Sequence, residues 1–325
     1  MENNLNYVSA PLGITIHHRY GLHVTFTENL PHHFHLKVIS GSNGLTAFDG
    51  DIPQSDTQKQ IFRTIQTYFV PWHIIISKDG GTVYEADLNI VGKKVCMDAT
   101  NASLRDLIAW MPIFARFRYL KNANVYVAMP QEWVPLFQPV YGVLHIIPKP
   151  IFNQNDYFAV YPLGIADDKD LNHCPVPYEE TNPMVYAAKL FGIQFSTDDF
   201  PVLAKPASDS PDDSGKYICV SCDAASITEE NRSSLEADFE RTLANFKQNG
   251  FKVYKLGDGT LNCLADAEDT SALPFHKKLA LLYNCNTFIG QENDYWTWIG
   301  WAYDKTIFLP GAEKPVTLVE LLQGK

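Results

Sequence analysis

The sequence predicts an α/β fold in which two lobes follow a β-rich N-terminal domain. Strand and helix patterns alternate twice after residue 92, as they do in parallel sheets built from βαβ units. A Pro-, Ser- and Asp-rich stretch at residues 204–215 separates the two runs and predicts a domain boundary. The length of 325 residues, 46% of them hydrophobic, suits two or three domains. We therefore predict domains at residues 1–91, 92–205 and 206–325.

Alternating apolar and polar residues predict the strands of the N-terminal domain. Residues 22–26 and 34–39 show this alternation. Residues 72–76 and 82–84 flank the sequence Lys-Asp-Gly-Gly and predict a hairpin, because Asp and Gly permit the positive φ of a tight turn. Residues 58–68 predict a short helix.

Each lobe is predicted from its own run of strands and helices. In the first lobe, strands are predicted at residues 94–98, 125–129, 143–147 and 158–161, and helices at residues 103–120 and 131–137. In the second, strands are predicted at residues 217–221, 251–256, 287–289 and 306–309, and helices at residues 228–249, 274–283, 295–303 and 316–322. Gly250 suits the position that follows a helix end. Ligands of such sheets bind at the carboxyl ends of the strands, and between lobes where there are two.

Charge and composition argue against several classes of function. The net charge is -11 and Lys and Arg form no cluster, so nucleic acid is not an expected partner. No apolar run approaches the ~20 residues of a membrane span. The N-terminus has no basic and then apolar signal pattern, so we expect a cytoplasmic protein without a membrane partner. The six cysteines are scattered, and we expect them to be reduced and buried.

One run of residues resembles a known family. Residues 103–112 read Ser-Leu-Arg-Asp-Leu-Ile-Ala-Trp-Met-Pro and continue to Phe117 and Arg118. The run resembles the bacterial autotransporter heptosyltransferases, GT-B glycosyltransferases whose corresponding run looks like Ser-Leu-Gly-Asp-Thr-(Leu/Ile)-Ala-Trp-(Phe/Met)-Pro. Residues 12–91, the strand and long helix from Lys216, and the late runs 288–290 and 298–302 also resemble that family.

The resemblance covers nearly the whole chain and implies a GT-B-like pair of Rossmann-type lobes. It implies a protein O-glycosyltransferase that transfers heptose from ADP-heptose to Ser or Thr of an autotransporter-type adhesin in the cytosol. Active family members carry an iron-binding cysteine cluster and form large oligomers. This sequence lacks a matching cluster, so we expect neither stoichiometric iron nor another cofactor, and the resemblance leaves open a homo-oligomer.

Three departures from the family pattern favour an alternative function. Arg105 stands where the family has Gly, and no lysine matches the family's Gln-Ser-Thr-Ala-Gln-x-Lys stretch after Ser221. The Gly-rich turn after Gly290 is replaced by Gln-Glu-Asn-Asp-Tyr, which places Glu292 and Asp294 where a phosphate would lie. The alternative is therefore a non-catalytic homologue that acts as a binding or scaffold subunit and binds a nucleotide sugar weakly or not at all. Lys255, Lys305 or Arg105 could compensate for the missing lysine.

Asp106 is the candidate catalytic residue, because the matching Asp is the family's proposed base and an inverting transfer needs a group that accepts the acceptor's hydroxyl proton. Ser103-x-x-Asp106 is also a capping-box pattern, in which the acid serves only the helix start. Arg105 could pair with a phosphate or with Asp106, or lie in solvent. The candidate substrate-binding residues are Ser103, Arg105, Trp110, Gly290, Glu292, Asn293 and Trp298.

The tryptophans and cysteines of the second lobe each have two interpretations. Trp296, Trp298 and Trp301 could stack on a sugar or an adenine, but such spacings more often fill a core, and we favour the core. Cys219-x-x-Cys222 lacks the second pair that a zinc site needs, which favours a structural role.

Histidines are concentrated in the N-terminal domain. Six lie between residues 17 and 35: His17, His18, His23, His32, His33 and His35. His33 and His35 would share one face of a strand, so a metal site there stays open, although no Cys, Asp or Glu spacing completes it.

Overall fold

The computed structural model describes residues 7–26, 33–53, 59–167, 169–194, 196, 198–207, 212, 216–224 and 227–322. The chain divides into two compact units. The first comprises residues 1–102, 113–134 and 141–199, and the second comprises residues 103–112, 135–140 and 200–325. No helix within the described ranges is both long enough and apolar enough to cross a membrane.

The described residues of the first unit form two sheets. Its strands are β1 (Val8–Ala10), β2 (Ile14–Arg19), β3 (Leu22–Phe26), β4 (Phe34–Ser40), β5 (Thr46–Ile52), β6 (Gln60–Arg63), β7 (Trp72–Lys78), β8 (Gly81–Asp87), β9 (Lys94–Asp98), β10 (Asn124–Met129), β11 (His145–Pro148) and β12 (Ala159–Pro162). The larger sheet has the order β11-β10-β9-β12-β2-β3-β6, with β1 beside β2. The smaller sheet has the order β5-β4-β7-β8.

Strands from both sides of residue 91 share the larger sheet. The strands β9 to β12 are parallel, as the alternation of strands and helices predicted. Strand β2 pairs in parallel with β12, where Ala159 lies opposite His18, and continues antiparallel to β3. The boundary at residues 91/92 stays a prediction, but the N-terminal strands are not confined to a sheet of their own.

The smaller sheet is antiparallel and has one buried face. Side chains of β4 alternate between buried and half-buried positions, as the sequence pattern predicted. The hairpin of β7 and β8 is confirmed, since these strands pair and turn at Asp79 and Gly80. Their φ angles are 50° and 84°, so both central residues take the positive φ of a two-residue hairpin turn.

The helix predicted at residues 58–68 is wrong. Residues Gln60–Arg63 form β6, which pairs antiparallel with β3 so that Arg63 lies opposite His23. The short segment alternates in exposure and gains a ladder of hydrogen bonds on the sheet edge, and this tertiary pairing overrides a weak helical pattern. Gln58 lies outside the described residues.

Three α-helices lie among the described residues before residue 200: α1 (Leu104–Lys121), α2 (Val134–Phe137) and α3 (Pro183–Leu190). Helix α1 begins in a segment of the second unit and ends in a segment of the first. Helix α3 was not predicted. Asn182 caps it by accepting a hydrogen bond from the Met184 amide at 3.0 Å, and Pro183 occupies its first position, where no donor is needed.

The second unit contains one parallel sheet. Its strands are β13 (Tyr217–Ser221), β14 (Lys252–Lys255), β15 (Glu268–Asp269), β16 (Phe288–Gly290) and β17 (Ile307–Phe308), and its further helices are α4 (Arg232–Gln248), α5 (Phe275–Asn284), α6 (Tyr295–Ala302) and α7 (Leu318–Leu322). The order is β15-β14-β13-β16-β17. Every residue of the central strand β13 is buried, as expected when both faces of a parallel sheet are covered. This confirms the predicted alternation.

The second unit also bears on two local predictions. Gly250 has a φ of 74° and its amide donates to the Lys247 carbonyl at 3.0 Å, which confirms it as the residue after Asn249, the C-cap of α4. The boundary at residues 205/206 stays a prediction, because most of the Pro-, Ser- and Asp-rich stretch lies outside the described residues.

The loops that follow β13 and β14 pack backbone against backbone. A Cβ added to Gly257 would lie 2.6 Å from the carbonyl oxygen of Cys222 and would overlap the Ser221 hydroxyl. The Gly259 amide donates a hydrogen bond to the same Cys222 carbonyl at 2.8 Å. Glycine is therefore required at residue 257 by close approach of the backbone.

Gly257→Ala should lower the free energy of unfolding by roughly 1–3 kcal/mol, because backbone atoms of Cys222 cannot move aside as a flexible side chain could. Urea denaturation measures the change. Gly142→Ala is the matched control, since an added Cβ at the exposed Gly142 meets no atom within 4 Å. An equal effect of both variants would contradict the close approach.

Candidate functional site

The carboxyl edge of the second unit's sheet surrounds a cavity of about 260 Å³. It is lined by Ser221, Asp223, Leu256, Gly257, Asp258, Ser271, Lys278, Asp294, Tyr295 and Trp296. Strand β13 ends at Ser221, and the loop after β14 and the start of α6 with its cap Asp294 supply most of the remaining lining. Open parallel sheets bind ligands at this edge, because the strand ends and the following helix starts leave a crevice there.

Asp294 is a buried carboxylate at the start of α6. Its side chain is 3% exposed, accepts a hydrogen bond from the Trp296 amide at 2.9 Å, and accepts another from the Ser221 hydroxyl. Burial raises the pKa of Asp294 to about 6, although these two hydrogen bonds act in the opposite direction. Asp294 therefore caps the helix and ties it to the end of β13.

The backbone amides that follow β13 already donate hydrogen bonds to side chains of the protein. The Asp223 amide donates to Gln291 Oε1 at 3.1 Å, and the Ala224 amide donates to Asp258 Oδ1 at 3.1 Å. Free backbone amides at such a strand end are the usual donors to a phosphate. Here these two are satisfied by the chain itself.

The cavity carries more negative than positive charge. Three carboxylates, of Asp223, Asp258 and Asp294, line it, and Lys278 from α5 is the one cationic side chain in the lining that the structure describes. Sequence reasoning placed Asp294 near a helix start but missed Lys278, which reaches the edge only because α5 lies beside it.

The cations proposed to replace the family's lysine lie elsewhere. Lys255 Nζ is 3.9 Å from Asp269 Oδ1, and Lys305 Nζ donates to the Cys285 carbonyl at 3.4 Å. Arg105 pairs with Asp106. Lys255, Lys305 and Arg105 are not among the residues that line the cavity.

Asp106 lies in the first turn of α1, after the carboxyl end of β9. Its side chain is 2% exposed, and Ser103 Oγ donates to Oδ2 at 2.6 Å. The Asp106 amide donates back to Ser103 Oγ at 3.2 Å, which is the N-cap hydrogen bond of a capping box. Arg105 donates to Oδ1 from Nε at 3.2 Å and from Nη2 at 3.0 Å. The carboxylate is thus held by a hydroxyl and a guanidinium.

The remaining predicted site residues do not line the cavity. Trp110 is fully buried in α1, and Gly290 is the last residue of β16. Glu292 and Asn293 are exposed, and the indole of the buried Trp298 donates to the Glu292 carbonyl at 3.2 Å. Their roles in substrate binding stay predictions.

The structure also places the predicted metal candidates. Cys219 and Cys222 are both buried. The ring nitrogens of His35 lie 2.8 Å from Asp51 and 2.7 Å from Asp49, whereas His32 lies outside the described residues. In the described part of the chain, no group of three or more His, Cys, Asp or Glu residues could hold a metal ion. The expectation that the protein holds no stoichiometric iron stays a prediction.

Comparisons with known proteins agree with the resemblance seen in the sequence. No protein-family model matches the chain. The chain is 21% identical over 280 residues to the autotransporter heptosyltransferase Aah of Escherichia coli, across 83% of this chain and 69% of that protein. It matches the crystal structure of the iron-containing dodecameric glycosyltransferase TibC from enterotoxigenic E. coli with a TM-score of 0.72 and 20% identity, across 93% of this chain and 78% of that chain.

A second structure of TibC, in complex with ADP-D-beta-D-heptose, matches with a TM-score of 0.73 and 19% identity, across 95% of this chain and 80% of that chain. The predicted α/β fold of GT-B type is therefore confirmed, and the chain is similar in sequence to an autotransporter heptosyltransferase.

Replacing the buried carboxyl of Asp294 should change how stability depends on pH. The pKa of Asp294 is about 6 in the folded chain, whereas the ordinary value for Asp is 3.8. Folding therefore favours the protonated carboxyl, and this contribution to the unfolding free energy is present at low pH and is lost as the pH rises through 6. Relative to Asp294→Asn, the wild type should lose up to roughly 3 kcal/mol of unfolding free energy between about pH 4 and about pH 7.

Urea denaturation across this pH range measures the difference. Glu292→Gln removes one negative charge from an exposed position in the same loop and should follow the wild type throughout. Parallel curves for Asp294→Asn and the wild type would show that burial does not perturb this carboxyl.

Proposed function

We propose that this chain is a protein O-glycosyltransferase that transfers heptose from ADP-heptose to a Ser or Thr hydroxyl of an autotransporter-type adhesin in the cytosol. The similarity to Aah over most of the chain, and to TibC bound to ADP-D-beta-D-heptose, supports this proposal. TibC is dodecameric, and we extend self-association to this chain as part of the proposal.

The observation that carries the proposal is the buried Asp106 carboxylate after the carboxyl end of β9. In the proposed step, the hydroxyl oxygen of the acceptor attacks the anomeric carbon of the heptose, and Asp106 accepts the proton of that hydroxyl. The bond from that carbon to the ADP oxygen breaks, ADP leaves, and the configuration inverts. Ser103 and Arg105 orient the carboxylate through hydrogen bonds to its two oxygens.

Asp106→Asn should lower the transfer rate by about 100- to 10,000-fold, because the amide cannot act as a base. The amide oxygen can still accept the hydrogen bond from Ser103, so the loss of unfolding free energy should stay within about 0.5–2 kcal/mol. Both quantities are measured on purified protein, with ADP-heptose and an acceptor fragment for the rate.

Ser103→Ala is the matched control for this prediction. It removes the hydroxyl that caps the helix and orients the carboxylate but keeps the base itself, so it should lose similar stability and lower the transfer rate by much less than Asp106→Asn does. Full activity in Asp106→Asn would mean that Asp106 serves only as a helix cap.

A second candidate is a non-catalytic homologue that acts as a binding or scaffold subunit. Two observations favour this second candidate. The Arg105 guanidinium donates a hydrogen bond to Asp106 Oδ1, the oxygen that an acceptor hydroxyl would need, and three carboxylates line the cavity at the sheet edge. A diphosphate would bring about two further negative charges there. Two like charges ~4 Å apart repel by roughly 4 kcal/mol at an effective dielectric of 20.

Donor binding separates the two candidates. If the carboxylates exclude the diphosphate, calorimetry should give a dissociation constant for ADP-heptose of roughly millimolar or weaker. Asp258→Asn should then tighten binding by about tenfold, because it removes one charge while keeping an oxygen for the Ala224 amide. A low-micromolar constant for the wild type would refute the non-catalytic candidate.

A further inference from the structure

One face of strands β2, β3 and β6 carries a row of basic side chains. His17 lies opposite His23 on the neighbouring strand, and His23 lies opposite Arg63 on the next. Residues that pair across neighbouring strands share a face of the sheet, so these three side chains are continuous. Arg19 shares the same face, because alternate residues of a strand point the same way. We call these four side chains the basic row.

The basic row opens toward solvent at the sheet edge. Arg63 is exposed on the edge strand β6, whereas His17 and His23 are half-buried. The two imidazole rings stack with their centroids 4.7 Å apart and an angle of 24° between the planes. Two positive charges at this spacing repel each other, so the stack favours neutral rings.

Little negative charge lies along the basic row. Arg63 makes no ion pair among the described residues, and its Nη2 donates to the Tyr20 carbonyl at 2.9 Å. The carboxylate of Asp156 interacts with Arg19, whose Nε also donates to the Tyr157 carbonyl at 2.6 Å. The guanidinium of Arg63 therefore retains N–H donors for a ligand, since arginine has five of them.

The histidines of the smaller sheet have the opposite surroundings. The ring nitrogens of His35 lie 2.7 Å from Asp49 and 2.8 Å from Asp51, and His73 likewise contacts two carboxylates. Hydrogen bonds to these carboxylates raise the pKa of His35 and of His73. Histidines in this chain are thus paired with acids on one sheet and with cations on the other.

Burial and neighbouring cations keep the histidines of the basic row neutral. Burial lowers the pKa of His17 to about 3, and the charges of Arg19, His23 and Lys59 act in the same direction. Burial and the charge of Arg63 lower the pKa of His23, against a hydrogen bond with the Arg19 backbone. An anion beside these rings would offset the surrounding positive charge and favour their protonated forms.

The opposite face of the strands supplies no compensating charge. His18 is fully buried there, and its ring centroid lies 5.0 Å from that of Tyr161 on β12. Burial lowers the pKa of His18 and raises that of Tyr161, so both stay neutral. Neutralisation of the basic row therefore has to come from its solvent side.

Three classes of ligand can be compared with the basic row. A cation would be repelled by Arg19 and Arg63. A carboxylate fits a guanidinium but offsets only one charge. A phosphate-type oxyanion carries about two negative charges and several acceptor oxygens. Neighbouring strands lie about 4.8 Å apart, so such an anion on Arg63 also lies beside the ring of His23.

We propose that the basic row binds a phosphate-type oxyanion at the guanidinium of Arg63, and that the stacked pair of His17 and His23 takes up a proton when the anion binds. The inference goes beyond the proposed function, because it requires neither a nucleotide nor transfer of a sugar. A free phosphate and the phosphate headgroup of a lipid share this chemistry.

Calorimetry on the full chain with sodium sulfate and with inorganic phosphate measures the binding. Sulfate keeps both charges across the pH range used, whereas the second pKa of a phosphate group lies near about 6. Sulfate should bind about three- to tenfold more tightly at about pH 5.5 than at about pH 7.5, because the bound anion favours protonated rings. Cosedimentation with vesicles of phosphatidic acid and phosphatidylcholine distinguishes a lipid headgroup from a free phosphate.

Two variants test the two parts of the proposal. Arg63→Gln removes the guanidinium and should weaken sulfate binding by about tenfold or more. The double variant His17→Gln and His23→Gln keeps Arg63, so it should bind sulfate at about pH 7.5 and lose the tightening at about pH 5.5. If Arg63→Gln does not fold, Arg63→Lys keeps the charge without the fork of donors and should weaken binding by about three- to tenfold.

His35→Gln is the matched control, since its ring lies between two carboxylates. It should leave the affinity for sulfate and its pH dependence unchanged, and circular dichroism establishes the folding of each variant. No saturable binding of either inorganic anion, an affinity for sulfate that does not change with pH, or tighter binding of acetate than of sulfate would overturn the inference. Binding to vesicles without binding of either inorganic anion would overturn it as well.

Discussion

The buried carboxylate of Asp294 holds the edge of the second sheet together. It accepts from the hydroxyl of Ser221, at the end of β13, and from the amide of Trp296, at the start of α6. A buried carboxyl needs such partners, because its desolvation is otherwise uncompensated. The strand end, the helix start and the cavity between them all depend on this one group, and so does the position of the indole of Trp296.

The start of α1 repeats this construction with one difference. Asp106, like Asp294, is a buried acid that accepts a serine hydroxyl at a helix start. Only Asp106 also meets a guanidinium, that of Arg105, at 3.0 Å. The ion pair keeps the carboxylate in place but competes with any proton donor for the same oxygen. Both acids therefore have a structural role at a helix start that is independent of any chemistry.

Local patterns predicted the second unit well, because its buried strands and amphipathic helices are continuous in sequence. The same reasoning failed at Gln60–Arg63, where pairing with β3 decides the conformation, and it could not foresee that β2 joins β12 across more than a hundred residues. The site residues show the same difference between local patterns and contacts that depend on the tertiary fold. The Ser103–Asp106 cap was predicted from its spacing, whereas Lys278 and Asp258 line one cavity only because α5 and the loop after β14 come to the same edge.

The cavity at the carboxyl edge of the second sheet concentrates like charges. The carboxylates of Asp223, Asp258 and Asp294 line it, with Lys278 as the cationic side chain among the described lining residues. Carboxylates that share a site repel one another, so this arrangement lowers the stability of the folded chain. Violations of packing and pairing rules are expected at functional sites rather than in the core. A ligand that offsets the repulsion would stabilise the folded chain through mass action. The charge at this edge therefore separates it from the buried core, and it also lacks the donors that a diphosphate needs.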